Sequence, residues 1–466
     1  MRPYVCKHPD TSPRHLIMAT INPQPSTPDT PFRIVFLMSR FLDGGIDTVL
    51  IEYLKHLSES EDVEITLAIA TAMDSLEVFR REVPANVKIV YFSQSRRLTH
   101  IQQGRVLKMT SHLAKVYDEM VNNPIRRYRA QRGIDRLAKT ADLFIDFDCC
   151  AYSFLRSVRT KKIAYFHFSF VQAMRQNGRR MKRIGRELEH YDRVVTISKA
   201  MREEGCRLFP SLKDKMTVIY NAKNPEIIRQ KASVIPDDER IGRPYLLAVE
   251  RLEESQKDLT TLLEAYALLR STYHREEWLY IIGKGSSEEE LKQKARALGI
   301  ADRTVFLGFC ANPYPWMLRS RLLVHSAKFE GLPTVLIEGL LLDKLMVATD
   351  CPTGPREILD NGKAGLLVPV GDAAAFAQET DRLLRDTQLQ TAVLQGVRSR
   401  SADFTFQAVD NRLRKLMGID PSAGESSPGG QLKTLFRNLK TDHPQLRQPS
   451  GAMSRNLDGQ TVCNDR

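Results

Sequence analysis

Two hydrophobic rhythms alternate along this chain. Short unbroken apolar runs read as strands buried on both faces, and longer stretches with an apolar residue every three or four positions read as helices packed on one side. "FRIVFLMS" is the first such run. After it, Asp43-Gly44-Gly45 supplies turn chemistry, and Ile46, Val49, Leu50, Tyr53, Leu54 and Leu57 keep helical spacing. "VEITLAIA", "NVKIVYF", "DLFIDFD", "KKIAYFHF", "DRVVTIS" and "KMTVIY" are further strands. Residues 105–121 and 124–140 are each predicted to form one helix, and the very basic stretch 172–191 another.

A second series begins near Arg243. "PYLLAVE", "EWLYIIG", "TVFLGF", "RLLVHS", "LMVATD" and "GLLVPV" alternate with helical stretches such as "DLTTLLEAYALLRSTY" and "SEEELKQKARALG", and three helices close it. Strands alternating with helices of 10–15 residues mean βαβ units and parallel sheets. Two series joined near Asn221–Pro225 predict two doubly wound α/β domains facing a cleft. The expected division is a disordered extension at 1–31, a first Rossmann-like domain at 32–222 and a second at 223–402. A helix at 403–417 packs back toward the first domain, and a disordered tail fills 418–466. In that tail "QLKTLFRNLK" puts Leu432, Leu435, Phe436 and Leu439 opposite Lys433, Arg437 and Lys440; it reads as a short interfacial helix or as plain disordered tail.

Composition narrows the partners. The net charge is +13, which favours something anionic. The excess is local: Arg96 to Lys139 holds eleven Lys/Arg against three acids, and Arg156 to Glu189 ten against two. These runs are either a solvated basic face or a docking surface. They lack interleaved stacking aromatics and match no nucleic-acid module, so nucleic acid is not an expected partner. Seven cysteines without a CxxC pair indicate a reducing compartment with no disulfide framework and no zinc site. No apolar run approaches the ~18 residues of a membrane span, and the N-terminus lacks a signal peptide's apolar core. A cytoplasmic protein is expected.

Candidate chemistry follows from the fold, because open parallel sheets bind ligands beyond the carboxyl ends of their strands. Gly44 and Gly45 there let the backbone approach a phosphate at a helix start, or simply make a tight turn. His167 ends a strand, as a structural or a reacting imidazole. Arg251 and Lys257 flank "LEESQ" at another strand exit, where two cations either hold a diphosphate or sit in solvent. Glu330 lies in a polar break, while Glu338 sits inside the apolar "TVLIEGLLL". With a helix starting near Leu332, Glu338 is on its second turn, within about 80° of the side that faces the cleft. A buried carboxylate needs a partner, either a hydroxyl-rich ligand or a cation from a neighbouring segment; the ligand is preferred. Asp146 and Asp148 form a D-x-D without supporting carboxylates nearby, so no metal is expected.

These residues carry a resemblance. "KFEGLPTVLIEGLLLDKLMVATDCPTGPREILDNGKAGLLVPVGD", with its E-x7-E pair, closely resembles the C-terminal signature of retaining, GT4-type glycosyltransferases with the GT-B fold. "RIVFLMSRFLDGGIDTVLIEYL" looks like that family's strand–GG–helix, and "AVERLEESQKDLTTLLEAY" resembles its R-x5-K segment. The likeness covers roughly 33–417. It implies that the backbone of Gly44 and Gly45 meets the donor phosphates, and that His167 lies beside the donor sugar. Arg251 and Lys257 would bind the diphosphate, Glu330 the sugar hydroxyls and Glu338 the ribose. Backbone groups of Leu332, Pro333 and Thr334 would close around sugar and phosphate. "GGID" departs from the usual GGAE, which leaves Asp47 in doubt as an acceptor-side group.

The family further implies transfer with retention, from a UDP-linked sugar to a cell-envelope glycan or lipid-linked acceptor of lipopolysaccharide, capsule or O-antigen type. No metal or other cofactor is implied, since the nucleotide sugar is itself the substrate. The basic first-domain helices would hold the protein on the anionic inner face of the cytoplasmic membrane, each basic residue contributing on the order of 1 kcal/mol. The alternatives are a transferase with a soluble acceptor such as a sugar phosphate, and a non-catalytic binding protein of the same fold.

Overall fold

The computed structural model describes residues 30–42 and 44–419. The expected N-terminal extension up to residue 29, Asp43 and the tail from 420, with its proposed interfacial helix, lie outside the described residues.

Two all-parallel sheets organise the chain. The first holds β1 (Phe32–Met38), β2 (Val63–Thr71), β3 (Lys88–Ser93), β4 (Leu143–Asp146), β5 (Lys161–Phe166), β6 (Arg193–Thr196) and β7 (Met216–Val218), in the order β3-β2-β1-β4-β5-β6-β7. The second holds β8 (Tyr245–Val249), β9 (Trp278–Ile282), β10 (Thr304–Gly308), β11 (Leu322–His325), β12 (Met346–Thr349) and β13 (Leu366–Val368), in the order β10-β9-β8-β11-β12-β13. Central strands are mostly apolar because helices cover both faces; Leu143, Phe144 and Ile145 of β4 are all fully buried. Strand order reverses at β1/β4 and at β8/β11, and each reversal opens a crevice at the strand ends. This is the two-domain Rossmann-like GT-B architecture.

The chain crosses between the sheets twice, and the crossings touch. Lys223 N–H donates to Phe404 C=O at 2.9 Å, and Lys223 forms an isolated parallel bridge with Thr405. Beyond the second crossing, the helix Phe406–Met417 returns to the first sheet's side. There Phe406, Val409, Leu413 and Met417 join the core around Tyr53 and Leu57. Phe406 stacks on His56 with centroids 4.2 Å apart, and His56 Nε2 lies 2.6 Å from Asp410 Oδ1.

Three helices differ from the sequence pattern. The one predicted over 105–121 is broken: Arg96–Val106 stops before Lys108, whose φ of 59° ends the run, and His112–Tyr117 restarts on the Ser111 cap. A five-residue π turn, Asp118–Asn122, then feeds straight into Asn123–Leu137, so the second predicted helix is a continuation. Buried Asp118 explains this turn, because it takes two hydrogen bonds from buried Arg126 at 2.7 and 3.0 Å. The basic stretch splits into Phe170–Gln176 and Gly178–Leu188, since Asn177 leaves helical geometry and caps the second piece through Arg180 N–H. A side-chain cap competes with helix continuation, and apolar spacing does not register that competition.

Candidate active site

The second domain's crevice is lined by charge that could not stay buried unpaired. Glu250 follows β8, His325 ends β11, Lys257 lies in the turn Glu254–Lys257, and Glu330 occupies the loop after β11. All four are buried. Lys257 Nζ bonds directly to Glu330 Oε1 and stands 3.9 Å from Glu250 Oε2. His325 bridges the carboxylates from the other side, 3.5 Å from Glu250 Oε1 and 3.5 Å from Glu330 Oε1. Burial alone would raise the Glu330 carboxyl, but Lys257 and His325 overcome it and hold it at about 2. Burial pushes the Lys257 ammonium and the His325 imidazolium down, and the two glutamates raise both above their ordinary values. Two carboxylates, an ammonium and an imidazole thus make a buried quartet. The ion pairs to the Glu330 carboxylate use Oε1. Its Oε2 takes no hydrogen bond among the described residues and remains as an acceptor.

Glu338 is partnered differently from the expectation. The helix begins at Thr334 rather than near Leu332, with Pro333 at its N-cap, and Glu338 lies on the second turn. It does not wait for a ligand alone: Lys223 Nζ, from the first crossing, sits 3.2 Å from Glu338 Oε1. Tyr314 Oη–H donates to the same oxygen at 3.4 Å. Burial raises the Glu338 carboxyl above its ordinary value, Lys223 opposes that, and the like charge of Glu52 adds to it. The salt bridge to a neighbouring segment, which the sequence reading set aside in favour of a ligand, therefore exists on Oε1. Oε2 is the oxygen left for a ligand.

Across the seam stand the first-domain residues. His167, just after β5, is buried against Phe147, its ring centroid 4.9 Å away. Burial lowers its imidazole to about 4, against the opposing hydrogen bond to the Phe147 backbone, so the ring is neutral near pH 7. Its Nε2 is buried without a hydrogen-bond partner. The His167 carbonyl comes so close to Gly331 that a Cβ built there would lie 2.3 Å from the oxygen; only glycine lets these strand ends meet. A Cβ on Gly45 would stand 3.8 Å from Thr334 Oγ1. The helices Gly45–Ser58 and Thr334–Leu341 thus start near each other across the seam, neither with a hydrogen bond from an N-cap side chain. Helix starts carry partial positive charge, and here the Asp47 carboxylate already occupies the first turn of Gly45–Ser58. Leu332 and Pro333 are buried at that start. Arg251 is exposed at the β8 exit and donates to Gln256 Oε1 at 3.1 Å, so only one of the two expected cations is free in solvent.

Other residues have structural duties. Asp47 Oδ1 and Oδ2 accept from Leu42 N–H at 3.0 Å and Gly44 N–H at 2.9 Å, which shapes the glycine turn. Asp146 accepts from Cys150 and Ala151 N–H, both at 3.0 Å, and from Tyr191 Oη at 2.6 Å. Asp148 accepts from Ser39 N–H at 2.8 Å. The D-x-D therefore staples the β1 and β4 loops at the switch point. Among the described residues, no cluster of three or more His, Cys, Asp or Glu is arranged for a metal ion.

Sequence reasoning missed four contributors. His325 was reachable through the strand-end rule. Lys223 and Tyr314 carried no signal, because their role arises between segments distant in sequence. Glu357 clamps the seam: it accepts from Lys199 N–H at 2.8 Å, Ala200 N–H at 3.2 Å and Tyr220 Oη at 2.7 Å, placing a carboxylate at the start of the first-domain helix Lys199–Leu208.

Comparison with known proteins finds family matches over both sheets. Residues 43–226 match Glycosyltransferase Family 4, and residues 233–400 match Glycosyl transferases group 1. The chain belongs to this family. It is 30% identical over 228 residues, 49% of its length and 60% of the relative's, to the Campylobacter jejuni N-acetylgalactosamine-N,N'-diacetylbacillosaminyl-diphospho-undecaprenol 4-alpha-N-acetylgalactosaminyltransferase. It is 28% identical to the Salmonella typhimurium lipopolysaccharide 1,6-galactosyltransferase, over 49% of this chain and 64% of that one. The chain thus spans a little over half the length of these relatives. In fold it resembles Anabaena HepE, solved with UDP and glucose, at TM-score 0.66 and 16% identity, covering 83% of this chain and 99% of that one.

Proposed function

We propose that this protein is a retaining, metal-independent glycosyltransferase that moves a hexosyl unit from a UDP-linked sugar to a cell-envelope glycan or lipid-linked acceptor. The observation that carries the reading is the meeting, at one seam, of the Gly45–Ser58 and Thr334–Leu341 helix starts with the buried Glu330 carboxylate, whose ion pairs use only Oε1. The bond between the anomeric carbon and the phosphate oxygen breaks, and its electron pair leaves with the diphosphate. First-turn N–H groups, Arg251 and Lys257 meet that charge as it grows. Glu330 Oε2 orients the sugar through its hydroxyls, and Glu338 Oε2 takes the ribose. Neutral His167 lines the reaction centre with an unprotonated nitrogen at neutral pH. The acceptor hydroxyl oxygen bonds to the anomeric carbon on the face the diphosphate leaves, and its proton passes to the departing phosphate oxygen. No cofactor beyond the nucleotide sugar enters this scheme.

The relatives named for lipopolysaccharide and diphospho-undecaprenol acceptors support the envelope assignment. So does the surface of the first domain: Met109, Leu113 and Met120 are 74–81% exposed beside Lys108, Lys115 and Arg127. Among the described residues, no helix is long and apolar enough to cross a membrane. Apolar side chains rimmed by cations suit peripheral docking on an anionic leaflet, at the cytoplasmic face. The test is transfer from a panel of nucleotide sugars to envelope lipid extracts, with Glu330→Ala as control. Product from the wild type, with retained anomeric configuration and none from the variant, supports the reading. Full activity in the variant refutes it.

A further inference from the structure

Lys223 is the most deeply buried ammonium on the chain's route between the domains, with its side chain 1% exposed. Its backbone is pinned to the other crossing through Phe404 and Thr405. Its side chain reaches out of the hinge to Glu338 Oε1, 3.2 Å away. Neighbouring Asn224 N–H contacts Glu52 Oε2 at 3.4 Å, so a first-domain carboxylate borders the same polar pocket. The groups that face Glu338 are Lys223, Tyr314 and the like-charged Glu52. The Glu338 side chain is 10% exposed, and Lys223 is the cation paired with it, where Glu330 has Lys257 and the His325 imidazole.

We propose that Lys223 is a positioning residue for the ribose of the donor, acting through Glu338. This rests on the nucleotide-sugar reading above. By engaging Oε1 the ammonium opposes the burial that raises the Glu338 carboxyl, favouring its ionised form, and it fixes the carboxylate plane so that Oε2 faces the ligand. An ionised acceptor binds a hydroxyl about tenfold more tightly than a neutral one. Because Lys223 belongs to the hinge, the aim of Glu338 is set where both crossings meet, and the ribose contact is made in full only at one arrangement of the two crossings.

The test compares binding of UDP and of 2',3'-dideoxy-UDP by calorimetry in the full chain, for the wild type, Lys223→Met, Glu338→Gln and the double variant. Wild-type binding of UDP tests the nucleotide-sugar reading by itself. The preference for UDP over the dideoxy analogue then tests the role of Lys223. Lys223→Met is expected to lose about tenfold of that preference, and Lys223→Arg to restore most of it. Dideoxy-UDP affinity should change less than twofold, and the double variant, which removes both partners of the Lys223–Glu338 pair, should melt closer to the wild type than Lys223→Met does. In the Glu338→Gln background, Lys223→Met should cost nothing further. Equal loss of UDP and dideoxy-UDP, or a further loss in that background, would overturn the proposal; a wild type that binds neither nucleotide would overturn the reading beneath it.

Discussion

Glu330 and Glu338 flank one helix start, both buried and both held by one oxygen, yet their surroundings pull them in opposite directions. Glu330 is surrounded by its own domain: Lys257 and His325 come from the same sheet's exits, and the carboxyl is held at about 2. Glu338 depends on a cation from the crossing between domains, has the first domain's Glu52 nearby, and is raised instead. The difference separates a charge that the second domain makes permanent from one that the whole two-domain assembly must supply. The first suits contact with the sugar at the reaction centre, where the site must be identical on every turnover. In the proposed function the second would tie the donor's far end to the arrangement of the chain crossings.

Substitutions break this comparison in a graded way. Glu330→Ala should give the largest effect on activity, lowering transfer by at least about 10²-fold, the scale for losing a preorganised polar contact in an excluded site. Circular dichroism and the melting point check that the fold survives. Lys257→Met should have the largest effect on stability. It leaves two buried carboxylates facing His325 alone, and removing one partner of a buried pair costs about 3–5 kcal/mol. Chemical denaturation of Lys257→Met beside Lys223→Met measures the contrast, and a smaller cost at Lys223 is expected because Glu338 can take up a proton instead.

Acid sharpens the same distinction. The Glu330 carboxyl is depressed in the fold, so its contribution is complete above the unfolded value of 4.5 and is lost as pH falls toward about 2. The His167 imidazole is also depressed, from 6.5 to about 4, so the unfolded chain takes up its proton first. Its cost begins below pH 6.5 and reaches on the order of 3 kcal/mol near pH 4. Denaturation midpoints between pH 7 and pH 4 should fall in the wild type and fall distinctly less in His167→Gln. A parallel decline in both would remove the assignment of a neutral buried imidazole. Smallest of all, Glu357→Gln should weaken the seam by about 1 kcal/mol through lost charge–dipole attraction at the Lys199–Leu208 helix start. It should reduce UDP affinity slightly, with the change tracking Glu338 rather than Glu330.

What could be read from sequence follows the same division. Both sheets, the two series and the strand-end positions of Gly44, His167, Arg251, Lys257 and Glu330 were legible because burial on both faces writes itself as continuous apolar runs. The Glu330 environment was half legible: the R-x5-K segment marked Lys257, and His325 stood at a strand end. The Glu338 environment was not. Lys223 lies in "NAKNP", which reads as turn, and Tyr314 lies in a short helix with no polar pattern of its own. The helix breaks at Lys108 and Asn177 escaped for a related reason, since a positive φ or a side-chain cap stops a helix without altering the apolar spacing.

The most direct test of the central claim, that this seam is a nucleotide-diphosphate site, is calorimetric titration of UDP into the wild type and Arg251→Ala. Arg251 is exposed, so its loss leaves the buried quartet and the fold intact. One UDP per chain, bound about tenfold more weakly by the variant as expected for a lost charge-assisted hydrogen bond, is the predicted result. UDP affinity unchanged by Arg251→Ala, or no binding of UDP, GDP or ADP to the wild type, would contradict it.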